Sequence, residues 1–224
     1  IQNHIENRFR HIGYTVKSKI LYASDFGVPQ RRNRLFIVGN RNGIDFEFPK
    51  EFDYSVSVDE AISDLPVLGN GEIQMKGEYT VPFEQASPYA QLMRKKSKAP
   101  TQNIVSRNKD YVVERYKYIG QGENWSSIPD RLMENYADKK RCHSGIYKRL
   151  IGGKPSVVIS NYRKSMLIHP HQDRGLSVRE AARLQSFPDH FIFEGPVSYV
   201  QQQIGNAVPP LLAKAVMKKI LTYK

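Results

Sequence analysis

The chain has 224 residues, with 34 Lys and Arg against 22 Asp and Glu, which gives a formal net charge of +12 at pH 7. This excess favours a polyanionic partner, nucleic acid first and an anionic membrane surface second. The single cysteine, Cys142, excludes an internal disulfide framework and a thiolate zinc cluster, which suits the cytosol. The apolar runs are too short to span a bilayer. Of the two polyanionic partners, nucleic acid is the one predicted, and no membrane partner is expected.

The chain opens with a predicted helix and a strand. Ile5, Phe9 and Ile12 recur at the spacing of one helical face, and Gly13 is placed to end the helix in a left-handed conformation. Residues 14–21 then alternate between apolar and polar side chains, which predicts a half-buried strand.

The alternation assigns a buried face to this strand and predicts a partner. Tyr14, Val16 and Ile20 fall on the inner face, opposite two lysines. Residues 25–30 contain glycine and proline and predict a turn. The apolar run 35–38 predicts a second strand, more deeply buried than the first.

Two helix starts follow. Ser57 and Glu60 have the spacing of a capping box, in which each side chain satisfies a free backbone N–H of the other residue. Residues 67–85 are rich in glycine and polar residues and predict a loop. A serine-proline pair at Ser87 predicts another helix, running to about Lys98.

The middle of the chain, residues 100–175, has no long clean period and predicts short strands and loops around a modest core. Order returns at Ser177, which forms a second capping box with Glu180 and starts a helix to about Phe187. A last helix is predicted to start at the proline pair Pro209–Pro210.

Three stretches are specific when taken together. QRRNR at 30–34 precedes a strand, SVREAARLQSFPDHFIF spans 177–193, and QIGNAVPPLLAKAV spans 203–216. In this order they resemble the C-terminal half of the C5-cytosine DNA methyltransferase family. Residues 13–39 resemble its seventh and eighth motifs, and the other two stretches resemble its ninth and tenth.

The resemblance implies an α/β fold in which the chain supplies part of a Rossmann-like, S-adenosylmethionine-dependent methyltransferase domain. Residues 1–48 would form the last strand hairpin of that catalytic domain. Residues 49–195 would form an irregular α+β target-recognition domain that includes the ninth-motif helix. Residues 196–224 would carry the tenth motif and a C-terminal helix that returns to the catalytic domain.

The resemblance also gives roles to the residues before the second strand. Arg34 would bind the O2 edge of a cytosine flipped out of the duplex, Arg32 would brace the catalytic loop and the intermediate, and Gln30 would lie near the displaced strand. From the residues alone, two interpretations stay open. A strand-end arginine is a fixed guanidinium fork able to stabilise developing charge, or it belongs to a solvated basic turn that contacts phosphates.

The tenth motif implies contact with the cofactor S-adenosyl-L-methionine, most of which the missing N-terminal half would bind. Asn206, Ala207 and Val208 are the residues carried over, in a turn against the methionine part of the cofactor. The other interpretation is a Gly-Asn turn that only caps a helix. No metal site is predicted.

Loops rich in basic, amide and tyrosine side chains suit contacts with bases and phosphates. The candidates for DNA contact are Asn161, Tyr162, Arg163, Lys164 and Arg179. For Arg179 a structural role is the other interpretation, because the ninth-motif helix of the family organises the recognition domain. Val157 and Val158 stand close to where the family commonly has a threonine, which removes a hydroxyl from this region.

Three motifs of the family are absent from the sequence: the Phe-x-Gly-x-Gly cofactor loop, the Pro-Cys nucleophile and the Glu-Asn-Val stretch. Cys142 follows Arg141 and precedes His143, so it is not expected to be catalytic. The expected protein is therefore the C-terminal part of a DNA (cytosine-5-)-methyltransferase, either a split subunit or a truncated chain. It would be inactive without the N-terminal half.

Two alternatives remain: a non-catalytic DNA-binding or specificity subunit of a restriction-modification system and, more weakly, an endonuclease. The expected partners are double-stranded DNA and the N-terminal half of the enzyme. The expected location is the cytoplasm of a bacterium or phage host, in association with the nucleoid. A partial catalytic domain also predicts a large exposed apolar surface.

Overall fold

A computed structural model describes residues 2–134, 144–160, 162 and 166–223. In these parts of the chain, seven α-helices accompany two antiparallel sheets of two strands each. The helices are α1 (Gln2–His11), α2 (Val58–Ile62), α3 (Pro88–Arg94), α4 (Asp110–Tyr116), α5 (Val178–Leu184), α6 (Val197–Asn206) and α7 (Pro210–Leu221). The strands are β1 (Thr15–Tyr22), β2 (Asn33–Asn40), β3 (Ile73–Lys76) and β4 (Thr101–Ile104).

The first sheet is the predicted hairpin. β1 and β2 pair antiparallel in one continuous register, from Thr15 opposite Asn40 to Tyr22 opposite Asn33. The preceding helix α1 is followed by Gly13, whose φ of +88° is the left-handed conformation that favours glycine. The predicted helix, its glycine and both strands are therefore confirmed.

The burial of this hairpin differs from the prediction. Leu21 is buried, whereas Ile20, assigned to the inner face, is 50% exposed. No residue of β2 is buried, and Leu35 is 42% exposed, so the prediction of a more deeply buried second strand is wrong. The reason is that the two faces are covered at opposite ends. α1 lies against β1, where Val16 is buried, and α7 covers the face that carries Leu21.

The hairpin end and the C-terminal helix share a small core, here called the hairpin cluster. Its buried members are Leu21, Ala23, Phe26, Val28, Leu212 and Val216. The N-terminal and C-terminal segments of the chain thus pack on each other, as the predicted return of the last helix requires.

A larger core, here called the main cluster, surrounds α2 and α5. Both predicted capping boxes are present, Ser57 with Glu60 and Ser177 with Glu180. The buried members of the cluster are Val56, Val58, Ala61, Ile62, Leu65, Tyr89, Met93, Leu150, Ile159, Tyr162, Leu167, Leu176, Val178, Ala181, Ala182, Leu184, Phe193, Val200 and Ile204.

The segment 67–85, predicted as a loop, contains β3, which pairs with β4. The loop prediction is wrong. None of the residues of β3 is buried, so the strand has no buried face by which its sequence could indicate it. Ile73 and Met75 are 62% and 59% exposed. The pairing partner lies about one helix further along the chain, where a local pattern cannot show it.

Three other differences concern helices. α4 lies in the region predicted as strands and loops, where its Val112 and Tyr116 pack into a second cluster with Ile119, Ile128, Met133, Tyr147 and Ile168. α6 was not predicted, and it packs into the main cluster through Val200 and Ile204. α3 and α5 end at Arg94 and Leu184, earlier than expected, and α7 begins at Pro210 as expected.

No helix in the described ranges is long and apolar enough to cross a membrane.

Candidate active site

The basic motif, residues 30–34, follows a tight turn and forms backbone hydrogen bonds with a segment distant in sequence. Gly27 has a φ of +73° and ends the short 3-10 turn before the motif. Gln30 and Ser156 then form a parallel bridge. The Arg31 N–H donates to the Ser156 carbonyl at 2.8 Å, and the Ser156 N–H donates to the Pro29 carbonyl at 3.0 Å. Segment 156–160 is thus attached to the motif by its backbone.

The side chain of Gln30 is fully buried, with 0% exposure. Its Nε2 donates to the Leu184 carbonyl at 3.2 Å, and its Oε1 accepts from the Ile159 N–H at 3.2 Å. The amide therefore joins the end of α5 to segment 156–160. Both polar atoms of Gln30 are thus bonded inside the core, and its place near the displaced DNA strand stays a prediction.

Arg32 is also buried and holds two backbone segments together. Its Nη1 donates to the Ile159 carbonyl at 3.1 Å, and its Nη2 donates to the Gly205 carbonyl at 2.6 Å. Bonds from a charged donor are stronger than neutral ones, so both segments are firmly held. Within the described residues, Nε of Arg32 has no hydrogen-bond partner.

The end of α6 presses directly on segment 156–160. A Cβ atom built on Gly205 would lie 1.7 Å from the Ser160 carbonyl oxygen, so only glycine fits there. The same glycine supplies the carbonyl that Arg32 binds. The glycine of the GNAVPP stretch is thus explained by close backbone approach.

Arg34 differs from Arg32 because it is only half-buried. Its Nη2 lies 3.4 Å from the Ala207 carbonyl, and its Nη1 donates to the Asn33 carbonyl at 2.9 Å. Partial burial lowers the pKa of Arg34 from its ordinary value, but a guanidinium stays charged at neutral pH. Its remaining donors can serve an incoming acceptor.

The turn beside Arg34 carries the three predicted cofactor residues. Asn206 is the last residue of α6 and is exposed, Ala207 is half-buried, and Val208 is 44% exposed. The structure therefore brings Arg34 and Ala207 together, with an exposed amide and an exposed apolar side chain on either side of Ala207.

The predicted DNA contacts around residue 162 are placed in part. Asn161, Arg163 and Lys164 lie outside the described residues. Tyr162 is 2% exposed and belongs to the main cluster, and burial raises the pKa of its hydroxyl. This differs from the predicted DNA contact, because the ring is enclosed by apolar side chains.

Arg179 is fully buried as well. It donates to the carbonyls of Thr101, Phe191 and Pro188 at 2.8, 2.9 and 3.3 Å, and to the Thr101 hydroxyl at 3.0 Å. Burial lowers the pKa of Arg179 from its ordinary value. The geometry differs from the predicted DNA contact and matches the structural interpretation, because the guanidinium ties α5 to β4 and to the segment after α5.

The other charges of α5 find partners that the helical spacing did not reveal. Glu180 and Arg183 are three residues apart on the helix, but they do not pair with each other. Glu180 accepts two hydrogen bonds from Arg174 at 2.7 and 2.9 Å. Burial opposes its ionisation, but Arg174 outweighs this and lowers the pKa of Glu180 to about 2.

Arg183 is enclosed between two carboxylates. Its Nε lies 2.6 Å from Asp189, and its Nη1 lies 2.9 Å from Asp64. Burial works against the charge, but the two acids raise the pKa of Arg183. No isolated charge is left on this helix.

A cavity of about 320 Å³ opens next to segment 156–160. Its lining includes the partly exposed side chains of Val157 and Val158 together with Lys148 and Ser160. Lys148 was not singled out from the sequence, since an isolated lysine in a basic chain carries no local signal. In the described parts of the chain, no group of three His, Cys, Asp or Glu side chains could hold a metal ion.

The sequence profile described as C-5 cytosine-specific DNA methylase matches residues 1–222. The chain belongs to this family. It is 35% identical over 219 residues to the type II methyltransferase M1.HphI of Haemophilus parahaemolyticus, covering 97% of this chain and 50% of that protein. It is 33% identical over 244 residues to M.DdeI of Desulfomicrobium norvegicum, covering 100% of this chain and 58% of that protein. The chain thus spans about half the length of these relatives.

Solved methyltransferase structures share the fold. A protein described as a DNA modification methyltransferase encoded within an E. coli prophage superposes with a TM-score of 0.68 at 23% identity, covering 99% of this chain and 64% of that one. The methyltransferase EhMeth of Entamoeba histolytica gives a TM-score of 0.53 at 11% identity, with coverages of 99% and 58%. At these identities the likeness concerns the α/β fold alone.

Proposed function

We propose that this member of the family is the C-terminal part of a DNA (cytosine-5-)-methyltransferase, which transfers a methyl group from S-adenosylmethionine to C5 of a flipped cytosine. The single observation that carries the proposal is the position of Arg34. It is half-buried and lies against the Ala207 carbonyl, so the proposed base-binding residue and the proposed cofactor turn are neighbours.

Arg34 would act on the base. Its planar fork can donate to the O2 carbonyl of cytosine and stabilise negative charge that develops on the ring. The hydrogen bond to the Asn33 carbonyl at 2.9 Å and the longer contact with the Ala207 carbonyl at 3.4 Å would orient the guanidinium. A preoriented donor is worth more than a mobile one, because it costs no reorganisation when the charge develops.

Arg32 and Gln30 would act indirectly. Both side chains form hydrogen bonds with backbone groups of segment 156–160 and of the adjacent ends of α5 and α6. We infer that they stabilise the backbone segments around Arg34 and do not contact the substrate.

The turn 206–208 fits the cofactor in its chemistry. An exposed amide at Asn206 can exchange hydrogen bonds with a polar ligand, and exposed Val208 offers apolar contact. When bound, S-adenosylmethionine would supply the methyl group. Most of its binding surface would come from the N-terminal half.

Residues 49–195 would read the target. The 320 Å³ cavity at Val157 and Val158 lies beside segment 156–160, which is bridged to the basic motif through Ser156 and Gln30. Apolar side chains there can contact a thymine methyl, and Lys148 can contact a phosphate. Asn161, Arg163 and Lys164 remain proposed DNA contacts, whereas Tyr162 and Arg179 would support the domain from inside.

The packing supports the proposed division of the chain with one change. The hairpin cluster joins residues 1–48 to α7, as a returning C-terminal helix requires. α6 packs into the main cluster, so we place it with the recognition domain. The chain would cross between the two domains at the turn that follows α6.

The partners would be duplex DNA, attracted by the net charge of +12, and an N-terminal half that carries the Pro-Cys and Phe-x-Gly-x-Gly motifs. The type II methyltransferases among its relatives support a role in restriction-modification. The proposed location is the cytoplasm, next to the nucleoid. The second candidate function is a specificity subunit without catalysis. It is favoured by Cys142, the only cysteine, which has no preceding proline.

The test measures transfer of a labelled methyl group from S-adenosylmethionine to mixed-sequence DNA. The chain is assayed alone and with a co-expressed N-terminal half. We expect transfer in the mixture only. Arg34→Ala should then reduce it by at least about a hundredfold, the usual cost of one lost donor to developing charge.

The matched control is Arg41→Ala, which removes an exposed arginine beyond the other end of the same strand and should leave the rate unchanged. Arg34→Lys keeps the charge but not the fork, and should restore little activity. DNA binding without transfer in the mixture would replace the proposal by the specificity subunit. Transfer by the chain alone would contradict the dependence on a second half.

A further inference from the structure

Residues 207–209 separate α6 from α7, and two consecutive residues from a third part of the chain contact the helix ends on either side. Gln185 and Ser186 follow α5 directly. The Gln185 side chain is buried, and its Nε2 donates to the Ile204 carbonyl at 2.8 Å. The Ser186 hydroxyl accepts the Leu211 N–H at 3.1 Å. One residue thus holds the end of α6, and the next holds the start of α7.

The bond from Leu211 has a physical reason. The first N–H groups of a helix lack intrahelical partners, and a side chain just before the helix usually accepts one of them. α7 is preceded by Pro209, whose side chain cannot do so, and begins with Pro210, which has no N–H. Leu211 therefore carries the first backbone donor of α7, and Ser186 caps it from another part of the chain.

The backbone at Ser186, just after the end of α5, has a costly conformation. Its φ is +62°, in the left-handed region where glycine is the usual residue. A serine in this place costs about 1 kcal/mol or more relative to a relaxed backbone. Glycine would relieve the strain but would lose the hydroxyl, so the residue present is the one that provides the cap.

We propose that Gln185 and Ser186 form a clamp that positions the cofactor-facing turn, and that they are positioning residues for S-adenosylmethionine binding. The inference rests on the proposed function. Arg32, from the N-terminal part of the chain, donates to the Gly205 carbonyl. Side chains from elsewhere in the chain therefore hold the backbone at Ile204, Gly205 and Leu211. Asn206 and Val208 lie between these bonded positions.

The clamp also ties the turn to the recognition domain. The helix that precedes it is bonded to β4 through Arg179 and to Asp64 through Arg183. Loosening the clamp should therefore affect the cofactor more than DNA, because only the turn is released while the helix keeps its other bonds.

The first readout needs no cofactor. In the chain itself, Ser186→Ala removes the acceptor of the Leu211 N–H, and amide hydrogen exchange at Leu211 should become at least about tenfold faster, the factor that corresponds to one lost hydrogen bond. Ser186→Gly should do the same while relieving backbone strain. An increase in both variants separates the cap from general destabilisation.

The second readout uses the chain with its N-terminal half. Gln185→Met keeps the volume and removes the donor to Ile204. We expect the KM for S-adenosylmethionine to rise about five- to tenfold, with the KM for DNA unchanged, as for the loss of one net hydrogen bond. The control is Gln201→Met on α6, a buried glutamine whose Nε2 donates to Ser106 at 3.0 Å, away from the turn. It should leave both KM values unchanged.

The outcomes are distinct. Unchanged exchange at Leu211, or a KM for S-adenosylmethionine that stays within about twofold in Gln185→Met, would overturn the clamp. Equal rises in both KM values with a lower unfolding midpoint would also overturn it, since that result marks a purely structural residue. If the unmodified pair transfers no methyl group, the proposed function fails, and exchange at Leu211 still decides whether the clamp exists.

Discussion

The helix α5 and the β1–β2 hairpin differ in which side chains they bury. All seven residues of α5 are buried, including Arg179, Glu180 and Arg183. In the hairpin, only Val16 and Leu21 are buried among the sixteen strand residues. A helix with three charges in seven residues is therefore buried, and a hairpin with several apolar side chains is exposed or half-buried over most of its length.

The comparison teaches that burial depends on available partners more than on polarity. Each charge of α5 meets an opposite charge or several carbonyls, so its desolvation is compensated. On the hairpin, Ile20 and Leu35 are directly opposite on one face and are 50% and 42% exposed. Such an apolar face suits the N-terminal half proposed as the partner.

The largest expected effect comes from breaking the charge compensation of α5. Arg183→Ala would leave Asp64 and Asp189 buried without their main partner and should lower the free energy of unfolding by about 3–5 kcal/mol. Urea denaturation followed by circular dichroism measures it. Arg8→Ala removes an exposed arginine of α1 and serves as the control. A loss below about 1 kcal/mol would show that the two acids find other partners or protonate.

The second effect tests the covered side of the hairpin. Leu21 is 1% exposed in the hairpin cluster, so Leu21→Ala should cost about 3 kcal/mol through lost burial and a cavity against α7. The same urea titration applies. A cost near zero would mean that the hairpin and α7 do not pack on each other in the isolated chain.

The third effect is a pH dependence of the α5 region. Burial, with Arg174 and other nearby cations, lowers the pKa of His169 from 6.5 to about 4, although Glu180 acts in the opposite direction. The unfolded chain takes up a proton near pH 6.5 and the folded chain only near 4, so stability should fall as the pH drops between these values. The loss is at most about 3 kcal/mol.

Unfolding midpoints measured from pH 7.5 to 4 test this pH dependence. His169→Gln should flatten the dependence in this window, whereas the exposed His190→Gln should not. An equally steep fall in the His169 variant would assign the dependence to other groups.

The smallest effect on stability is expected on the open face of the hairpin. Ile20→Lys should change the free energy of unfolding by less than about 0.5 kcal/mol, because the side chain is half-exposed. The same change should weaken association with the N-terminal half in a co-purification assay. Strong destabilisation of the chain alone, or unchanged association, would contradict an interface at this face.

The sequence singles out the residues of the candidate site, but it does not show which of them are buried. The motif spacing singled out Gln30, Arg32 and Arg34 together, and all three do lie around segment 156–160 and the turn after α6. Nothing in QRRNR indicates that Gln30 and Arg32 are buried and that Arg34 is half-buried. That depends on Ile159 and Gly205, which lie 127 and 173 residues away from Arg32.

The sequence by itself determined the family and those parts of the local structure that depend on neighbouring residues. The capping boxes at Ser57 and Ser177, the left-handed Gly13 and the hairpin depend on residues close together in the chain, so their patterns are readable. The tertiary structure alone decided that Arg183 pairs with Asp64 and that Ser186 caps α7. Such partners are chosen by packing between elements far apart in sequence, and local spacing contains no information on that packing.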